Sequence, residues 1–192
     1  MSEGPLQGLS ARFGEASEPV DVDAIDLQLL RALAQDSRAS LKSLSQTVGL
    51  SSPSVSERIS RLTSTGIIRK FSVDIDWSRL GYTLSSYITI SVKSGYDRDL
   101  VFGQLLKLPS IESVSIVTGG RDFLVRMRTA GFDDLRKVLA QELWTLEGVD
   151  NTETQMAIYF QEIDDVAERR LAEITNHQNR APVPLKAGGR GD

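Results

Sequence analysis

At 192 residues with 40 % hydrophobic side chains, the chain is long enough for one or two domains and apolar enough to give them packed cores. The formal charge of −4 hides an uneven spread of sign, and the absence of cysteine excludes disulfides and thiolate zinc sites. No apolar run reaches membrane-spanning length, and the opening carries Glu3, Glu15 and Glu18 where a secretion signal needs a basic start and an apolar core, so a soluble cytoplasmic protein is expected.

Residues 1–20, MSEGPLQGLSARFGEASEPV, are rich in Gly, Ser, Pro and Glu and show no apolar period, which predicts a disordered tail. A domain then spans 21–75. Asp23 is suited to cap a first helix whose apolar face is Ile25, Leu29, Leu30 and Leu33, with Asp26 in the first turn favoured by the helix dipole. Residues 40–66, SLKSLSQTVGLSSPSVSERISRLTSTG, describe two short amphipathic helices joined by a glycine turn. Leu41, Leu44 and Val48 form one apolar stripe and Val55, Ile59 and Leu62 the other, while Gly49 supplies the left-handed turn conformation. This is a helix-turn-helix, and it points first to DNA.

On the second of these helices Ser52 stands at the start. Pro53, Ser54, Glu57, Ser60 and Arg61 lie opposite the apolar stripe or beside it, and Ser56 is nearer its edge. Between residues 37 and 73 the charged side chains are Arg38, Lys42, Glu57, Arg58, Arg61, Arg69 and Lys70, a basic segment inside an acidic chain. Phosphate neutralisation needs such a patch. After Gly66, IIRKFSVDI is β-branched and aromatic with rough alternation, which predicts a strand or small wing carrying Arg69 and Lys70 towards backbone phosphates.

A connector over 76–81, with Asp76, Trp77 and Leu80, leads to a second domain over 82–163. YTLSSYITISVK reads as a strand, and RDLVFGQLLKL as a helix stopped by Pro109. IESVSIVT and DFLVRMRT form a hairpin about Gly119, Gly120 and Arg121. FDDLRKVLAQELWTL is a helix with Leu135, Val138, Leu139, Leu143 and Leu146 inward, and VDNTETQMAIYF is the last strand. The order is βαββαβ, a ferredoxin-like sandwich, so the fold class is α+β: a winged helix-turn-helix followed by that sandwich. A terminal helix is expected over 164–175, set on a partner subunit or on the sheet, and a disordered tail over 176–192.

VDAIDLQLLRALAQDSRAS, GLSSPSVSERISRLTSTGII, FSVDIDWSRLG, VTGGRDFLV and GVDNTETQMAIY occur in the order in which the leucine-responsive regulator/asparagine-operon regulator (Lrp/AsnC, feast/famine) family carries them. Over residues 21–163 the chain resembles that family. The resemblance implies a transcription regulator that binds double-stranded DNA as a homodimer, often assembled to an octamer, and that senses a small molecule, commonly an amino acid, at loops between subunits. Its recognition helix would lie in the major groove. Ser54, Glu57 and Arg61 are then the leading groove contacts: Arg61 offers a fork for guanine, and Glu57 either accepts from cytosine N4 or serves to reject wrong sequences or pair with Arg61. Arg58, bordering the apolar stripe, suits a phosphate contact or an intramolecular ion pair.

The corresponding effector turn is Thr118, Gly119, Gly120, Arg121 and Asp122, whose glycines expose backbone N–H groups and whose Asp122 either accepts from an ammonium or stabilises the turn. Thr152 and Thr154 match the family's T-x-T and either border the pocket or pack. Gly120 departs from the polar residue the family more often places there, which bears on ligand identity. Some proteins with this two-domain arrangement resemble the regulators but are tetrapyrrole decarboxylases of the haem pathway, in which histidines and arginines handle the substrate; here the single histidine, His177, lies outside both domains and has no companions for a catalytic or metal site. No enzyme activity and no cofactor are expected. An architectural DNA-coating protein that answers to no effector is the other alternative.

Overall fold

The computed structural model describes residues 19–163 and 165–179. They form two compact units, one of residues 74–161 and one of residues 19–73 together with those described beyond 161. Of the tails expected over 1–20 and 176–192, residues 1–18 and 180–192 lie outside the described residues.

The helical unit begins with α1, Ala24–Gln35, opened by a reciprocal capping box: the Asp23 carboxylate accepts from the Asp26 N–H, and the Asp26 carboxylate accepts from the Asp23 N–H. Ser40 caps α2, Leu41–Val48, which ends at Gly49 with φ +70°. Ser51 caps α3, Ser52–Ser64, with Pro53 in the first turn, where a missing N–H costs nothing. Leu29, Leu33, Leu44 and Val55 form the shared core, with Ile25, Val48, Leu50, Ile59 and Ile68 packed around it. Leu41, expected inward, is exposed at the open end of α2.

Two expectations change in this unit. Residues 69–76 form no strand. The Ile68 N–H donates to the Leu62 carbonyl at 2.9 Å and holds the start of the run against the bundle, but Phe71, Val73 and Ile75 beyond it are exposed. A strand needs a ladder partner for its backbone groups, and none of the described residues supplies one, so the expected wing does not form. The terminal helix, α6, runs Val166–Asn179, past the expected end at 175. It packs on α1 within this unit rather than on the sheet: Arg31 Nη2 donates to Thr175 Oγ1 at 3.0 Å, and Ala167 and Leu171 face Leu30 and Leu33 across a groove. Leu30, on the flank of α1 away from the three-helix core, gives the physical reason.

The sheet unit starts with a 3-10 turn, Trp77–Leu80, and continues β1 Leu84–Val92, α4 Arg98–Leu105, β2 Ile111–Ile116, β3 Phe123–Thr129, α5 Phe132–Val138 and β4 Val149–Met156. The strands lie in the order β2-β3-β1-β4, all neighbours antiparallel, which is the ferredoxin-like βαββαβ arrangement. Alternation assigns the faces. Ile88 and Ile90 of β1 stand beside Val125 and Phe123 of β3, and Val101, Leu105, Leu135, Val138, Leu139 and Leu143 from the two helices close over them. Ser85, Tyr87, Thr89 and Ser91 point to the opposite face with Leu124, Arg126 and Arg128.

After α5 the chain makes a π-helical turn, Leu139–Leu143, closed by the Trp144 N–H on the Leu139 carbonyl at 2.9 Å. The expected single helix over 132–146 is therefore continuous in direction but gains a residue in its last turn, which keeps Leu139 and Leu143 inward. Gly148 follows with φ +88° beneath the Tyr96 ring. A Cβ there would overlap that ring and lie 2.8 Å from Val101 Cγ2. Gly148→Ala should destabilise the sheet unit by about 3 kcal/mol, overpacking adding to left-handed strain. Gly119→Ala, which meets no atom within 4 Å, should cost about 1 kcal/mol. Urea unfolding of the two variants measures the difference.

Candidate nucleic-acid interface and effector turn

The turn between α2 and α3 is held by side chains that the serine-rich sequence supplies. The Ser45 and Ser52 hydroxyls meet at 3.1 Å across the two helices, and Ser51 Oγ accepts from the Ser54 N–H while its hydroxyl meets that of Ser54 at 2.9 Å. Ser54 is thus half-buried at the start of α3, Pro53 and Ser56 are exposed, and Glu57 is exposed without a hydrogen bond or ion pair to any described residue. Leu50, Ser54 and Glu57 share a cleft with Asp23, Arg58 and Arg61.

The far wall of that cleft is an ion-pair cluster. Arg58 Nη1 donates to Asp23 Oδ2 at 2.7 Å and to Asp26 Oδ1 at 2.8 Å, and Arg61 Nη2 donates to Asp26 Oδ2. Asp26 is fully buried, whereas Arg58 and Arg61 keep 26 % and 43 % of their side chains exposed. Of the two roles open to Arg58, the structure shows the intramolecular pair. Arg61 is engaged within the unit, Nη2 donating to Asp26 Oδ2 and Nη1, at 3.4 Å, to the Asp21 carbonyl, and no pair with Glu57 forms. The physical reason is the cost of a buried carboxylate, which draws in every cation within reach.

Charge fixes the protonation of this corner. The Asp26 N–H, opposed by partial burial and aided by the Arg58 guanidinium, holds Asp23 below the usual carboxylate range, and Asp23 and Asp26 together push Arg58 higher still.

The remaining basic residues are spread out. Arg38 lies in the α1–α2 loop and Lys42 in the first turn of α2, both exposed and without an ion pair to a described residue. Arg69 and Lys70 line the groove between α1 and α6 with Phe71 and Leu171, so they do not join the cleft in front of α3.

In the sheet unit the effector turn joins β2 to β3. Thr118, Gly119 and Gly120 are exposed, Gly119 takes φ +116°, and the Val117 N–H closes on the Asp122 carbonyl at 3.2 Å. Asp122 is already partnered: Oδ2 accepts from the Val92 N–H at 2.8 Å, and Oδ1 from Arg98 Nε at 2.5 Å. The structure therefore shows the stabilising role for this carboxylate, with both oxygens occupied. Arg121 donates to Ser91 Oγ at 3.1 Å and pairs with Glu153 at 3.5 Å on the face away from the helices.

Thr152 and Thr154 stand beside Ile90 and Ile88 on the helix-covered face, and Thr152 Oγ1 accepts from Trp144 Nε1 at 3.0 Å. The turn's arginine and the two threonines thus occupy opposite faces of the sheet. Arg98 and Trp144 are not among the expected site residues: Arg98 meets Asp122 from the start of α4, twenty-four residues away, and Trp144 meets Thr152 across the turn into β4.

Because the Asp23 pKa is depressed, its stabilising contribution is fully present above the ordinary value of about 3.9 and is lost as pH falls through the lower folded value. Asp23→Asn should therefore destabilise the helical unit most at pH 7 and progressively less as pH falls below the ordinary carboxylate value; urea midpoints across a pH series check this.

The chain matches the AsnC-type helix-turn-helix domain over residues 22–63 and the Lrp/AsnC ligand binding domain over residues 85–171. The HTH-type transcriptional regulator FL11 of Pyrococcus horikoshii is 33 % identical over 139 residues, 72 % of this chain and 91 % of that protein. The leucine-responsive regulatory protein of Rhizobium meliloti is 29 % identical over 141 residues, covering 72 % and 90 %. Among solved structures, Bacillus subtilis LrpC aligns with TM-score 0.65 at 27 % identity, covering 74 % of this chain and 99 % of its own. A Neisseria meningitidis transcriptional regulator in complex with L-methionine shares the fold, with TM-score 0.70 at 21 % identity over 74 % of this chain and 94 % of its own. With a capped helix-turn-helix on one side and a four-stranded βαββαβ unit on the other, the chain belongs to the Lrp/AsnC family of transcriptional regulators.

Proposed function

We propose that this regulator binds double-stranded DNA sequence-specifically by laying α3 in the major groove, and that a small effector, an amino acid or related metabolite, modulates that binding. The observation that carries the reading is the first half of α3, where Ser54 and Glu57, the latter with no partner among the described residues, face a cleft beside two arginines. Ser52, Pro53, Ser54, Ser56 and Glu57 are the groove-facing set; Arg38, Lys42, Arg69 and Lys70 serve phosphates, with Arg58 and Arg61 at the cleft wall. The chain acts as a homodimer, so that two α3 helices meet half-sites about one helical turn or a multiple of it apart.

For the effector, the match to a ligand-binding domain supports effector binding, and we assign the site to the Thr118–Asp122 turn, with Thr152 and Thr154 nearby on the helix-covered face. The glycine N–H groups there suit a carboxylate, and Asp122 shapes the turn. The L-methionine bound by the Neisseria relative favours amino acids as the class. No catalytic role is assigned: the single histidine, His177, is exposed on α6. The protein works in the cytoplasm, with the chromosome.

Anisotropy titrations of the full chain against genomic fragments test the DNA reading. One fragment class should be retained over competitor, and Lys42→Ala should weaken all sequences alike, lowering the salt slope by about 0.9 for the lost phosphate. Glu57→Ala should instead change preference at one base position, by about 1–3 kcal/mol. Absence of preference for any fragment would refute the reading.

Thermal shifts against the twenty amino acids test the effector. A ligand at a hundred times its Kd should stabilise by about 2.7 kcal/mol. A flat response with intact DNA binding would instead favour an architectural protein without an effector.

A further inference from the structure

The sequence places Arg58 and Arg61 on the helix assigned to DNA, yet both guanidiniums are held from inside the protein. Arg58 spans Asp23 and Asp26 at 2.7 and 2.8 Å, and Arg61 closes on the other oxygen of Asp26. Two positions one turn apart on α3 thus converge on a single carboxylate from α1, and the four charges cancel. What α3 then adds to the cleft is the uncompensated negative charge of Glu57.

We infer that Asp26, assisted by Asp23, is a positioning and specificity-determining residue for DNA binding: an internal phosphate mimic that holds Arg58 and Arg61 back from indiscriminate phosphate contact and fixes α3 against α1. This rests on the reading that α3 meets DNA.

Three observations carry it. Asp26 is fully buried, so its charge is satisfied only by these partners and the Asp23 N–H at 3.1 Å. The arginines are 26 % and 43 % exposed and line the same cleft as Ser54 and Glu57, so each stands where it can leave its carboxylate for an incoming phosphate. Guanidinium binds carboxylate and phosphate through the same paired N–H geometry, so the exchange needs no new kind of contact. Non-specific affinity comes from phosphate neutralisation alone, and two arginines withheld from it lower that affinity without lowering base readout.

The test uses the full chain carrying Asp26→Asn, which keeps the side chain's shape and removes its charge, and separately Asp23→Asn, whose side chain is 52 % exposed in the parent and tolerates the change. Affinities for the preferred fragment and for random-sequence competitor are measured across a salt series, with circular dichroism to establish folding.

Released arginines should steepen the salt dependence on competitor DNA by about 0.9 for each phosphate gained, up to two for Asp26→Asn and a smaller increment for Asp23→Asn, which leaves Arg58 its bond to Asp26. The ratio of specific to competitor affinity should fall by about tenfold in Asp26→Asn and less in Asp23→Asn. A folded variant with unchanged slope, or with both affinities falling in parallel, overturns the inference. If Asp26→Asn does not fold, Asp23→Asn decides by the same criteria. Wild-type protein without preference for any fragment would refute the DNA reading itself, whereas clear wild-type preference with unmoved variants refutes only the role given to Asp26.

Discussion

A carboxylate with no exposed surface sits at the junction of α1 and α3, and the arrangement of the DNA-binding unit follows from how it is satisfied. Stripping an ionised carboxylate of water costs several kcal/mol even after relaxation, and only well-placed donors recover it. Asp26 has its own helix cap on one side and two guanidiniums on the other. Hydrophobic packing of Leu29, Leu33, Leu44 and Val55 is non-directional and would tolerate some sliding of α3 along α1. The paired hydrogen bonds would not, because a guanidinium displaced by even one ångström loses its geometry. Burial supplies the cohesion of the bundle, and the buried charge supplies its register.

The second constraint is covalent. Because α6 returns to α1, the sheet unit of residues 74–161 is inserted in sequence between two parts of the helical unit, and the chain passes between the units twice. The match to the ligand-binding domain runs to residue 171, inside α6, although α6 packs with the helix-turn-helix. The sequence unit and the packing unit therefore do not coincide. A three-helix bundle of this size buries little surface, and the cover given to Leu30 by Ala167 and Leu171 adds to a small core. Stability of the DNA-binding unit thus depends on residues encoded after the sheet.

Most of the fold was legible because helices and strands announce themselves by local periods. Asp23 caps the first helix as expected, and β1 and β3 fall on the two runs read as strands. Asp26 was legible only as a first-turn carboxylate that the helix dipole favours, and its burial against a partner was not. Nor was the partner's identity, since Arg58 and Arg61 lie more than thirty residues away. The wing failed for the complementary reason. FSVDI has a strand's pattern, but a strand is a relation between two segments, and a pattern in one says nothing of the other.

The effector turn obeys the same logic as the DNA face. In both places the sequence offered an ionised side chain as the obvious contact, and in both the fold had already engaged it. Asp122 joins the end of β1 to the start of α4 through the Val92 N–H and Arg98, and Arg121 is tied to Ser91 and Glu153. A ligand that displaced either would have to replace two partners, with no net gain in charge pairing. What stays open at the turn is backbone: the exposed Thr118, Gly119 and Gly120, fixed in shape by the same ion pairs. On the proposed effector reading, backbone N–H groups would meet the carboxylate shared by all amino acids, and discrimination among side chains would come from surfaces outside the turn. The engaged charges fix the shape of the turn, so its exposed N–H groups are held without the ordering cost that a free loop would carry.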